Sequence, residues 1–168
     1  MALGPDGQIL LGCNAASGNG LLSTVVVNDE AKIIKTLNNE SGSDEVWFNP
    51  GDGHYFLARS GATPNQLLGV VDAESLTEDP SVVTNAAGKG NAHSLAADPV
   101  LNQVYVPIPS TATAGVCSSA GGTDSRGCIA VFTTPNDDKC FAEGSPVVHV
   151  SDNGDEDHMR EGCHHHHD

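Results

Sequence analysis

Basic residues are the scarcest resource of this sequence: four Lys and three Arg stand against 22 Asp and Glu in 168 residues, for a formal net charge of -15. A surface so acidic gains nothing from a polyanion. This argues against nucleic acid or an anionic membrane as a partner and makes cations the natural ligands. No apolar run approaches the roughly 20 residues that a membrane-spanning helix needs. The opening residues, Met-Ala-Leu-Gly-Pro-Asp-Gly, do not make a basic-then-apolar leader. Several catalytic signatures are also missing. There is no Gly-x-Ser-x-Gly nucleophile turn. "GKGNAH" (88–93) lacks both the Walker spacing and a following helix, and no Cys-x-x-Cys pair is present to seed a zinc site. The acidic run 152–157 has Gly at the third position of a would-be calcium loop and Cys163 at the twelfth, where Glu is required, so it is not an EF-hand.

What is abundant is turn chemistry and cysteine: 19 Gly, 9 Pro and 5 Cys. Cys117, Cys128 and Cys140 crowd into a loop-rich stretch near the C-terminus, which points to an oxidising, periplasmic or extracellular compartment. Cys117 and Cys128 bracket "SSAGGTDSRG", and a bridge there would close a flexible loop, stabilising it by about 3 kcal/mol on chain-entropy grounds. Cys128 with Cys140 is the competing pair, and free thiols are the alternative to both.

The chain repeats. "LGPDGQILLGCN" (3–14), "WFNPGDGHYFLARS" (47–60) and "LAADPVLNQVYVPIP" (95–109) each read as a short strand, a Pro-containing turn with Gly or Asn at its tip, and a second strand. The second strands begin at Ile9, Tyr55 and Val104, spacings of 46 and 49 residues. Third strands follow at Thr24–Val27, Leu68–Val71 and Cys128–Phe132, and fourth strands at Ile33–Leu37, Ser81–Thr84 and Val147–Val150. The stretch "NDEAKIIKTL" (28–37) also admits a short amphipathic helix, but a strand matches the other two units. Trp47, Tyr55, Phe56 and Tyr105 are expected in the core.

Units of about 40 to 50 residues with four strands each are the sequence sign of propeller blades. "DEVWFNPGDGHYFLAR", "LGVVDAES" and "HSLAADPVLNQVYVPI" resemble the YVTN-type and lactonase-like β-propellers, over roughly residues 3–135. The expected fold is all-β: an incomplete ring of blades, each a four-stranded antiparallel meander, over about 1–43, 44–91 and 92–150. Residues 151–168, acidic and His-rich, are expected to be a disordered or irregular tail. Three blades do not close a ring of the usual roughly four to eight. Missing blades or another chain are therefore needed to cover the open faces. Met1 falls inside what would be an innermost strand, so the chain is expected to be a fragment.

Counting back six residues from the turn prolines Pro50 and Pro99 gives Asp44 and His93. In a propeller these would stand side by side at the head of the innermost strands. The resemblance implies that such a ring of polar side chains makes a ligand or metal site, and imidazole with carboxylate suits a divalent ion. Glu45 is a further candidate. The structural alternative is that His93 bonds a neighbouring backbone, Asp44 caps a turn and Glu45 is a solvated loop acid.

The resulting expectation is a ligand-binding or scaffold protein. One alternative is a lactonase-like hydrolase, in which a metal held by Asp44 and His93 polarises the lactone carbonyl and activates water. Another is metal capture by Cys163, His164, His165, His166 and His167, set against their being an incidental biased tail or a tag.

Overall fold

The computed structural model describes residues 1–13, 15–16, 20–21, 23–60, 66–85, 93–108, 127–133 and 148–150. These residues form an all-β molecule. Its first sheet begins with β1 (Ala2–Leu3) and β2 (Ile9–Leu11). After a small hairpin, β3 (Ala15–Ala16) and β4 (Gly20–Leu21), it resumes with β5 (Thr24–Val27) and β6 (Ile33–Leu37), in the spatial order β1-β2-β5-β6. The second sheet is β7 (Glu45–Asn49), β8 (His54–Arg59), β9 (Gln66–Asp72) and β10 (Glu78–Asn85), and the third is β11 (Ala96–Asp98), β12 (Gln103–Ile108), β13 (Cys128–Thr133) and β14 (Val148–Val150). In both, sequence order is spatial order and every pairing is antiparallel. Segment 33–37 is a strand, not a helix. The small hairpin β3-β4 was not anticipated.

The turns show why the three units share a shape. A residue of positive φ lies one or two positions before each second hairpin strand: Gly7 at 74°, Gly53 at 75° and Asn102 at 51°. Gly and Asn are the residues that tolerate this corner. Asn49 Oδ1 accepts the Gly51 N–H, and Asp98 Oδ1 accepts those of Val100 and Leu101, so equivalent side chains brace equivalent turns. The first turn tightens into a 3-10 turn at Pro5–Gly7, with Asp6 also at positive φ (53°). Gly51 meets a second demand, because a Cβ there would overlap the Pro99 carbonyl of the neighbouring turn.

Packing follows from strand alternation. On β8, Tyr55 and Leu57 join Ala2, Leu10, Val26 and Leu37 in a core between the first and second sheets. Phe56 and Ala58, pointing the other way, join Leu95, Val104, Val106, Ala130 and Phe132 in a core between the second and third. The second sheet is thus covered on both faces, and all of β8 from Tyr55 to Arg59 is buried. The first strands adjoin: β7 lies against β1 on one side and β11 on the other. One expectation fails here. Trp47 is 40% exposed, because its neighbour Val46 takes the core-facing position on β7 and alternation turns the indole to the opposite face of an edge strand. Tyr105 is only partly buried for a similar reason, lying between the core residues Val104 and Val106.

The crossover from β6 to β7 is fastened by polar groups. Asn39 donates its N–H (3.0 Å) and its amide (2.6 Å) to the two carboxylate oxygens of Glu78 on β10. The Arg59 Nε–H donates to the Ser41 carbonyl at 3.0 Å. Between them the Glu40 side chain, 1% exposed, lies 3.5 Å from Arg59 Nε and accepts from Ser81 Oγ at 3.2 Å. Gly69 on β9 leaves room for this carboxylate, since a Cβ there would collide with Glu40 Oε2.

Candidate functional site

The structure brings Asp44 and His93 together, as their shared place in the repeat suggests. Asp44 precedes β7, where its N–H donates to the Ala58 carbonyl at 2.9 Å. His93 precedes β11 in the neighbouring sheet, and its Nδ1 bonds Asp44 Oδ2. Ser60, just beyond β8, donates its hydroxyl to the same oxygen. The His93 side chain is 64% exposed and that of Asp44 only 19%, so the imidazole is the outer member and the carboxylate stands behind it.

This geometry sharpens the role of each group. An imidazole whose Nδ1–H donates to a carboxylate presents the lone pair of Nε2, the usual metal-binding or proton-accepting tautomer, and is oriented by the acid behind it. Asp44 is therefore placed to position His93. Glu45 is engaged differently again: its Oε2 accepts the Leu95 N–H at 3.2 Å, tying the start of β7 to the approach of β11. It is thus held by a backbone contact to the neighbouring sheet's approach, unlike a solvated loop acid. Among the described residues no group of three or more His, Cys, Asp or Glu side chains is gathered as for a metal ion. His164, His165, His166, His167 and Cys117 lie outside the described residues. Cys128 is described and is not a free thiol, whereas Cys13 is.

Ser60 is the member that sequence reasoning missed. Its counterpart in the third unit is Pro109, so repetition carries no signal for it. Two shallow grooves also lie between the first and second sheets. One of about 500 Å³ is bordered by Pro5, Phe48 and Glu74, and one of about 330 Å³ by Lys35, Asn39 and Glu78. Neither includes Asp44 or His93. No described helix is long and apolar enough to cross a membrane.

At the opposite end of β8, His54 sits among acids. Its Nδ1 lies 2.8 Å from the Asp52 carbonyl, and its Nε2 is 3.5 Å from the Asp79 carboxylate. The hydrogen bond to the Asp52 side chain raises its pKa above the ordinary 6.5, against the opposing effect of burial. A raised folded pKa means that His54 stabilises the fold fully below about pH 6.5 and loses that contribution as pH climbs through the raised value. Proton NMR of the imidazole should show a midpoint above 6.5, and Asp52→Asn should bring it down. An unchanged midpoint in that variant would assign the shift elsewhere.

Comparisons with protein-family models, with curated proteins and with solved structures find no match.

Proposed function

We propose that this chain is a three-blade arc of a β-propeller of the YVTN or lactonase-like kind, acting outside the cytoplasm as a ligand-binding or scaffold protein, with His93 as its contact to a cationic ligand. The supporting observation is the union of Asp44 and His93 from adjacent sheets at the head of adjoining first strands. Connectivity supports the blade reading: the chain passes from the outermost strand of the first sheet, β6, directly to β7, the strand beside β1. The charge of -15 draws cations to such a site. A carboxylate-backed imidazole supplies one ligand of a borderline metal, and neighbouring blades would supply the others.

The test is a zinc titration of the chain shortened by residues 163–168, which removes the competing His and Cys tract. Saturable binding is expected, weakened at least tenfold by His93→Ala. Asp44→Asn, which takes away the positioning carboxylate, should cost about 10- to 100-fold. Equal affinity in His93→Ala would discard the site. Binding that disappears with residues 163–168 would assign metal capture to the tail.

A further inference from the structure

We propose that two copies of this chain close a single ring of six sheets, the outer face of the third sheet in each copy packing on the outer face of the first sheet in the other. This rests on the reading of the sheets as blades, and it names the partner that covers their open faces.

Alternation identifies those faces. In the first sheet Ala2, Leu10 and Val26 pack toward the second, so Leu3, Ile9, Leu11 and Val25 lie on the far side, with Leu3 68% exposed. In the third sheet Val104, Val106, Ala130 and Phe132 pack toward the second. Tyr105, Pro107, Ile129 and Val131 therefore face away, with Ile129 54% exposed. Eight uncharged, mostly apolar side chains thus lie on the two outer faces of an otherwise very acidic chain, Leu3, Pro107 and Ile129 exposed and the other five partly so. Such faces mark contact surfaces.

Register says what each face fits. Ile9 and Leu11 occupy the places that Tyr55 and Leu57 hold in the second sheet, where they pack onto the sheet before. Tyr105 and Pro107 occupy the places of Phe56 and Ala58, which pack onto the sheet after. Each end of the chain thus offers the missing half of the interface at the other end, and a second copy continues the sheet-to-sheet contact already made twice within the first. The contact is head-to-tail, and such contacts either close into a ring or run on as a filament. Counting decides between them. One copy has three sheets and two have six, within the roughly four to eight that close a propeller, whereas three copies would exceed that range. Mutual repulsion of two acidic chains is screened by ordinary salt beyond a Debye length of about 8–10 Å, and none of the named contact residues is charged.

Sedimentation equilibrium of the full chain near physiological salt should give twice the monomer mass of 17.3 kDa. Leu3→Glu and Ile129→Lys change exposed side chains on opposite ends, so each should keep the wild-type circular dichroism. Each alone should be monomeric, since every contact in its homodimer carries one altered face. An equimolar mixture should recover the dimer, because one contact then pairs two unaltered faces. A wild-type monomer, trimer or filament would overturn the proposal. So would a variant that stays dimeric alone, which signals a face-to-face contact, or a mixture that stays monomeric. A monomer that still binds zinc through His93 would overturn self-closure and leave the site standing. A dimer indifferent to His93→Ala would do the reverse.

Discussion

Glu40→Gln should stabilise the protein by about 3 kcal/mol at pH 8 and leave it nearly unchanged at pH 4. Burial pushes the Glu40 carboxyl up from 4.5 to about 7, and the Arg59 guanidinium and the Ser81 hydroxyl only partly oppose it. A buried carboxylate is costly because protein dipoles replace its water shell incompletely, and a single ion pair at 3.5 Å does not restore the loss. Between pH 4.5 and about 7 the folded protein holds a proton that the unfolded chain has released. Wild-type stability therefore falls as pH rises through that window and stays at its lower level above it. Each tenfold difference in proton affinity between the folded and unfolded chain corresponds to about 1.4 kcal/mol, which sets the size of the effect.

Glutamine copies the protonated acid without titrating. Its amide oxygen can accept from Arg59 and its NH₂ can donate to Ser81 Oγ, so the crossover keeps its fastening. Urea unfolding of both proteins from pH 4 to 8 checks this. Wild-type and variant curves should converge at the acidic end and separate through the window. Parallel curves would show that Glu40 ionises in the fold as freely as in the unfolded chain.

Glu40 also marks where sequence reasoning stops. The three hairpins were legible because the same physical demand recurs: an apolar strand, a proline corner, a positive-φ tip at Gly7, Gly53 and Asn102, and a second strand. Asp44 and His93 were legible by the same logic, since counting from equivalent prolines aligned them. Groups that occur once were not. Arg59, Ser60 and Glu40 have no like partner in the other units, because the counterparts of Arg59 are Cys13 and Ile108. Their roles depend on contacts between strands far apart in sequence, such as Ser81 reaching Glu40 across 41 residues. The exposure of Trp47 was missed for a related reason: composition places an indole in the core, but which face of β7 it takes is set by the residues on either side.

The second large effect tests the layering itself. Tyr55→Ala and Phe56→Ala should each cost about 3–5 kcal/mol, the usual loss when a buried aromatic is emptied to a cavity. Adjacent in sequence and respectively 0% and 2% exposed, the two rings serve different cores. Tyr55 holds the second sheet to the first, its ring tilted against that of Phe48 on the adjacent strand at 5.1 Å, and Phe56 holds it to the third. Each loss is a large share of the roughly 5–15 kcal/mol that keeps a domain folded. Tyr55→Phe separates packing from polarity. Its hydroxyl is buried with no hydrogen-bond partner among the described residues, and its pKa is pushed up to about 12 by burial. Removing that oxygen should therefore change stability by less than about 1 kcal/mol, because no bond is lost and a desolvated polar atom is relieved. Hydrogen exchange reports where each cavity acts. Tyr55→Ala should accelerate exchange chiefly in β2 and β5, and Phe56→Ala chiefly in β12 and β13. The same pattern from both variants would mean that the three sheets share one core, and the description of the second sheet as covered separately on its two faces would be withdrawn.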